Sequence, residues 1–272
     1  MTTAIDRTSD LYDAMPVFIP SIRADDSTPS GEAGENSSLE PNGVDVRSGG
    51  LPLRDEVTRL IETAADFYRN GKLDESAACY RKALELRADS KISLYSLGVI
   101  SGHLQRYEES KAAFDRLLRL LEDLGSNVEP SALARAHQGI GAALLGLWDA
   151  TGPHEPPLEL ASKAELEFRH AVDLDPGYLG AWLGLGWALH ILERLDDAET
   201  AFRKALELEP DSQVATERLR GVLEDKLERR LFELGYLSRI NKTIRDFTPY
   251  ENRTLVRVEG KPLSQIILEE RR

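Results

Sequence analysis

Residues 179–212 read LGAWLGLGWALHILERLDDAETAFRKALELEPDS, and this stretch is the clearest indication of the fold in the sequence. Apolar residues recur in it at spacings of three and four, as they do on one face of an amphipathic helix. Pro210 ends a helix, because its ring removes a hydrogen-bond donor and clashes with the preceding turn. Large and small residues occupy fixed places: Trp182, Leu185, Leu189 and Phe202 are large, and Gly186, Ala198 and Ala205 are small.

Three weaker copies of this pattern precede it, in segments 57–90, 91–124 and 134–178. A repeat of about 34 residues is typical of stacked helical hairpins. The third segment is about eleven residues longer than that period, and His137 stands where the other copies carry a large apolar residue. The matching residues are Leu60, Ala64, Phe67, Ser76, Tyr80 and Ala83 in the first copy, Leu94, Leu97, Gly98, Ser110 and Phe114 in the second, and Ile140, Gly141, Leu144, Ala164, Phe168, Ala171 and Pro176 in the third.

This pattern resembles the tetratricopeptide-repeat (TPR) family over residues 57–212. The resemblance implies an all-α TPR superhelix of stacked antiparallel helix pairs, in which small residues let the two helices of a pair approach and large ones fill the space between them. One such unit cannot bury its own apolar face, so neighbouring units stack. The family binds other proteins, and we therefore expect an interaction module.

The sequence as a whole divides into three predicted regions. Residues 1–54 are rich in Ser, Pro, Gly and acidic residues, which predicts a disordered tail. Residues 55–234 form the predicted solenoid, closed by a capping helix from Gln213 that stops at Gly235. Residues 235–272 form a second flexible tail, with a strand-like stretch at 254–259 and a helical one at 263–270.

An apolar patch at residues 11–20, LYDAMPVFIP, interrupts the polar N-terminal tail. It either docks on its own domain or has no role, or it serves as a linear motif that orders on a partner, and the sequence leaves these interpretations open. Two insertions interrupt the repeats. In residues 125–130, Pro130 suits the first turn of the next helix. Residues 147–157 contain three prolines and predict a surface loop, with Trp148 as a candidate anchor for a partner.

The charge and composition exclude several classes of partner. The chain carries 34 Lys and Arg against 47 Asp and Glu, a net charge of −13, which disfavours nucleic acid and anionic membrane surfaces. No apolar run is long enough to span a bilayer, so we expect no membrane insertion. The N-terminus lacks the pattern of a secretory signal. The single cysteine, Cys79, favours a reducing compartment, and we expect a cytoplasmic protein.

The sequence offers no recognisable catalytic motif. None of the histidines pairs with a cysteine or another histidine at metal-ligand spacing, and no nucleophile elbow or phosphate loop is present. Cys79 lies beside the core residue Tyr80, which is typical of a packing residue rather than a nucleophile. We therefore expect no enzyme activity, no cofactor and no metal.

The resemblance to the TPR family also implies which residues line the concave surface. Ala65 and Val99 stand where a clamp for a C-terminal carboxylate has asparagine, so we expect an apolar or amphipathic peptide as the ligand. Tyr95 and Trp187 are the expected anchors, because aromatic side chains carry much of the binding energy. The predicted function is that of an adaptor, scaffold or assembly factor. The alternatives are a self-associating structural protein, with homo-oligomers, or a dedicated subunit of a larger complex. The predicted groove residues are Ile61, Tyr68, Tyr95, Val99, His103, Gln138, Leu145, Leu183, Trp187, His190 and Ile191.

Overall fold

The computed structural model describes residues 11–12, 53–151 and 158–236, and in these ranges the chain is helical, without strands. Leu11 and Tyr12 are themselves helical. A short 3-10 helix, Gly125–Asn127, lies between the fourth and fifth helices. The α-helices of the described ranges are α1 (Leu53–Arg69), α2 (Leu73–Leu86), α3 (Lys91–His103), α4 (Tyr107–Asp123), α5 (Pro130–Ala150), α6 (Leu158–Leu174), α7 (Leu179–Ile191), α8 (Leu195–Leu208) and α9 (Gln213–Glu233).

Helices α1 to α8 form four consecutive hairpins, as the repeat pattern predicts. The two helices of each hairpin contact each other, and each hairpin contacts the next. In addition α3 contacts α5, and α5 contacts α7, so the first helices of the second, third and fourth hairpins adjoin in sequence. The all-α TPR fold is therefore confirmed. Among the described helices, none has the length and apolar content needed to cross a bilayer.

The turns inside three of the hairpins share one backbone conformation. Gly71, Gln105 and Glu193 lie at the same place in their repeats and have φ angles of 71°, 57° and 59°. The residue that follows each of them donates its N–H to a carbonyl of the first helix, at distances of 2.7 to 2.9 Å. This bond closes the helix end in the Schellman manner. Each hairpin therefore turns sharply with few residues.

Phenylalanines of the second helices occupy the space between hairpins. Phe114 on α4 is completely buried. A Cβ atom on Gly98 of α3, or on Gly139 of α5, would lie 2.6 Å from its ring. Phe168 is enclosed in the same way by Gly141 and Gly184. Small residues in the first helices thus allow one aromatic ring to contact both its own hairpin and the next.

The first of two structural units, residues 1–226, contains α1 to α8 and most of α9. In this unit α9 caps the array with buried Ala215 and Val222, and Lys226 pairs with Glu199 at 2.6 Å. The second unit covers residues 227–272. In its described part the helix ends at Glu233, and Gly235 follows with a φ of 77°. The predicted capping helix and its glycine stop are confirmed.

One prediction about the loops is wrong. Helix α5 runs from Pro130 to Ala150, so Trp148 lies on a helix and not in a loop. Its side chain is buried, which excludes it as an exposed anchor. The prolines begin only at Pro153, and they constrain the residues next to them rather than those a full turn earlier. Pro130 occupies the first turn of α5, as predicted.

Several expectations fall on residues outside the described ranges. These are the strand and helix of 254–270, residues 152–157 of the long insertion, and nearly all of the N-terminal tail. Helix α1 begins at Leu53, two residues before the start that the sequence suggested for the solenoid.

Candidate peptide-binding site

Leu11 and Tyr12 are bound against the helical array of their own chain. Tyr12 is 0% exposed and Leu11 is 3% exposed, so both belong to the core. They share an apolar cluster with Val99 and Leu145, which are also completely buried. We call the place where the two residues lie the Leu11–Tyr12 site. It consists of Gly102 and His103 on α3, Ser110 on α4 and Gln138 on α5.

The ring of Tyr12 fits a space that exists because residue 102 is glycine. A Cβ atom on Gly102 would lie 2.0 Å from the ring, far inside van der Waals contact. The ring also meets the imidazole of His103, with centroids 5.8 Å apart and planes tilted by 54°. No side chain larger than hydrogen at position 102 is compatible with this placement of Tyr12.

The hydroxyl of Tyr12 is bound through Ser110. Their oxygens are 3.2 Å apart, and Ser110 Oγ donates to the Gly98 carbonyl at 2.8 Å. Because that bond uses the only proton of the serine hydroxyl, Ser110 Oγ accepts from Tyr12. A phenylalanine at position 12 would lack this bond, so the site distinguishes tyrosine from phenylalanine.

Gln138 binds the backbone of the segment. Its Nε2 donates to the Leu11 carbonyl at 3.1 Å, and its Oε1 accepts from the Tyr178 hydroxyl at 3.1 Å. Gln138 is completely buried, and an unpaired buried amide would be costly. The Leu11 carbonyl can only accept a hydrogen bond, which fixes the orientation of the amide. Gln138 therefore recognises the path of a bound backbone rather than the identity of a side chain.

Two further tyrosines lie near the site: Tyr178 beside Gln138, and Tyr95 beside Phe114 of α4. Tyr95 packs edge-on against Phe114, with ring centroids 5.8 Å apart. Burial raises the pKa of Tyr95 to about 12 and raises the pKa of Tyr178 well above its usual value. Both phenols stay neutral at physiological pH, so this part of the array presents apolar rings and uncharged hydroxyls.

Two of the predicted groove residues of the fourth repeat, Trp187 and His190, contact the capping helix. The guanidinium of Arg218 lies 4.5 Å from the ring centroid of Trp187, which is 5% exposed. His190 Nε2 is 2.6 Å from Asp225 Oδ2. Leu183 is buried and Ile191 is half-buried. In this structure α9 therefore covers the part of the predicted partner surface that Trp187 and His190 form.

The two predicted groove residues of the first repeat differ in their surroundings. Ile61 belongs to a separate apolar cluster around Tyr80, and Tyr68 packs against both clusters. Of the predicted groove residues, His103 and Gln138 contact the bound segment, and Tyr95, Val99 and Leu145 belong to or pack against the same cluster. A role for the whole set in binding a partner stays a prediction.

Two residues of the site lie outside the groove positions predicted from the sequence. Gly102 and Ser110 were not assigned to the groove, yet both contact Tyr12. Gly102 lies inside the described helix α3, where glycine is less favourable than alanine. A glycine inside a helix, where no turn requires it, indicates that another part of the protein packs closely against the helix at that position.

A cluster of histidines and a carboxylate was missed as well. His137 on α5 meets Glu167 and His170 on α6, and one possible ligand atom of each lies within 4.8 Å of the others. His137 Nδ1 is 2.7 Å from Glu167 Oε2, and the two imidazole centroids are 5.1 Å apart. The spacing of Glu167 and His170, three residues apart on one helix, was the signal in the sequence.

Comparisons with known proteins agree with this fold. Family models described as tetratricopeptide repeat match residues 62–124 and 180–212. A search of curated protein sequences found no significant match.

Solved structures similar to the chain include several repeat proteins. Yeast Tom70 has a TM-score of 0.52 at 17% identity, over 65% of this chain and 34% of that one. The Cut9–Hcn1 hetero-tetramer of the APC/C has a TM-score of 0.52 at 13% identity, over 61% and 30%. The MamA protein has a TM-score of 0.51 at 15% identity, over 77% and 100%. At these identities the similarity establishes the fold alone.

Proposed function

Because the chain is a tetratricopeptide-repeat protein, we propose that it acts as an adaptor, scaffold or assembly factor that binds a segment of another protein at the Leu11–Tyr12 site. The TPR fold is a protein–protein interaction module. A fold does not by itself identify a ligand, whereas the residues of a binding site do restrict it. We further propose that the protein has no catalytic activity of its own.

The burial of Leu11 and Tyr12 carries this proposal. The two residues are bound as a peptide ligand would be: an apolar side chain is buried, a phenol is hydrogen-bonded to Ser110, and a backbone carbonyl accepts from Gln138. The segment comes from a distant part of the sequence, 98 residues from Ser110. The bound segment indicates that the site would accept an apolar residue followed by tyrosine, in a helical turn.

The bound segment also implies competition. A tethered segment reaches its site at an effective concentration of up to about 1 mM, so a free peptide of similar affinity competes poorly with it. A partner would have to displace Leu11 and Tyr12, or reach a chain from which they have already left. Replacing both residues should therefore open the site to an added peptide.

The test uses a fluorescent peptide with the sequence of residues 6–18, DRTSDLYDAMPVF, added to three full-length proteins. In fluorescence anisotropy, the Leu11→Ala/Tyr12→Ala chain should bind the peptide at least about tenfold more tightly than wild type, because its site is empty. Adding Gly102→Ala to that chain should abolish binding, because the new methyl group occupies the space of the tyrosine ring.

Two controls keep this test specific. Gly221→Ala in the same double variant places a methyl group where nothing lies within 4 Å, so it should leave binding unchanged. A peptide with alanine in place of its leucine and tyrosine should not bind. Equal binding by the Gly102→Ala and Gly221→Ala chains, or equal binding by wild type and the double variant, would contradict the proposal.

A further inference from the structure

Three metal-ligand side chains meet between the two helices of the third hairpin. His137 comes from α5, and Glu167 and His170 come from successive turns of α6. Residues three apart on a helix lie on the same face, so Glu167 and His170 both point toward the neighbourhood of His137. One ligand atom of each lies within 4.8 Å of the others.

A histidine at position 137 is unusual for this repeat. The equivalent residues of the other hairpins are Leu60, Leu94 and Trp182, all apolar. The His137 side chain is only 14% exposed, and its Nδ1 is held 2.7 Å from Glu167 Oε2. A polar ring that replaces a packing residue and faces a carboxylate and a second imidazole lacks a packing explanation.

We propose that His137, Glu167 and His170 bind a divalent transition-metal ion of the zinc class. Two imidazoles and one carboxylate form a ligand set that zinc accepts at about 2.0–2.2 Å per bond. In a tetrahedral site these distances place the donor atoms about 3.3 Å apart. The present separations, from 2.7 Å to at most 4.8 Å, lie on either side of that value. Rotation of the exposed His170 ring brings the third donor into range.

The ion would replace the direct contact between His137 and Glu167 with two metal–ligand bonds. The ligand nitrogen must be free of its proton, so an ion bound at His137 Nδ1 requires the tautomer that carries the proton on Nε2. His170 is exposed, which leaves a fourth coordination position open to water. The site would also join α5 to α6, the hairpin whose connection is lengthened by the insertion after Ala150.

Isothermal titration of ZnCl2 into tag-free, EDTA-treated full-length protein tests this proposal. We expect saturable binding of one ion per chain and a higher melting temperature with zinc than with magnesium, because a ligand that binds only the folded state stabilises it. His170→Ala should weaken zinc binding at least about tenfold without affecting folding, since the side chain is exposed. Glu167→Gln should weaken it in the same direction.

His190→Ala is the matched control. His190 also pairs with a carboxylate, Asp225, but belongs to no such three-ligand cluster in the described ranges. Its replacement should leave zinc affinity unchanged. No saturable binding by wild type at about 0.1 mM zinc, or equal affinity in wild type and His170→Ala, would overturn the proposal, the second result indicating adventitious surface binding only.

Discussion

Gly139→Ala is expected to destabilise the protein by overpacking the ring of Phe114. The added methyl carbon would lie 2.6 Å from three ring atoms. The ring has little room to move away, because it is completely buried and Gly98 of α3 approaches it as closely as Gly139 does. Overpacking a core by one methyl group costs about 1–3 kcal/mol. Against this, alanine is favoured over glycine in a helix by about 1 kcal/mol.

The variant Gly221→Ala separates the cost of overpacking from the gain in helix propensity. Gly221 also lies inside a helix, but a Cβ atom there meets nothing within 4 Å. Both variants gain the same helix propensity, so the difference between their free energies of unfolding isolates the overpacking term, about 1–3 kcal/mol. In thermal and urea unfolding followed by circular dichroism, we expect Gly221→Ala to be more stable than wild type. The melting temperatures of the two variants should differ by about 2–4 °C per kcal/mol. Equal stability of the two variants would refute this account of the packing between hairpins.

Two further predictions concern side chains around α4. Glu109→Gln should lower the free energy of unfolding at pH 7 by about 0.5–1 kcal/mol, since the pair with Arg81 is partly exposed. The Arg81 guanidinium, and then the Ser101 hydroxyl, lower the pKa of Glu109. Its contribution is therefore complete above the carboxyl pKa of the unfolded chain, about 4.3, and is lost as the pH falls through the folded value. Urea titrations should show the gap between variant and wild type closing below about pH 4; a gap that stays constant would contradict this. Ser110→Ala should cost about 1–2 kcal/mol, because it removes a bond to the Gly98 carbonyl and the acceptor of the Tyr12 hydroxyl. Tyr12→Phe in the same chain should recover part of that loss, because it removes the phenol left without its acceptor but does not replace the bond to the Gly98 carbonyl. No recovery at all would contradict the assignment.

The fold was predictable because its determinants are local. The large and small residues of 179–212 define one hairpin, and Pro130 and Gly235 mark a helix start and a helix stop that the structure confirms. Such signals act over a few residues, so one sequence suffices to read them. The misplacement of Trp148 shows the limit of the same reasoning, because prolines locate a loop only to within a turn.

The candidate sites depend on long-range contacts that have no local pattern. Leu11 is 127 residues from Gln138, and nothing in either neighbourhood indicates the partner of the other. His137 is 30 residues from Glu167, in a different helix of the hairpin. The sequence could identify an apolar patch and scattered histidines, but only the packing of helices decides which of them meet.

We propose that the helical array binds a peptide segment through the Leu11–Tyr12 site, where residues 11 and 12 of the chain itself lie. Nuclear Overhauser effects in full-length protein with labelled tyrosine and glycine test it most directly, with Tyr12→Phe used to assign the resonance. The ring protons of Tyr12 should show a contact to the α-protons of Gly102, because a Cβ there would lie 2.0 Å from the ring. Tyr12 resonances at random-coil positions, with no contact to Gly102, would contradict the account.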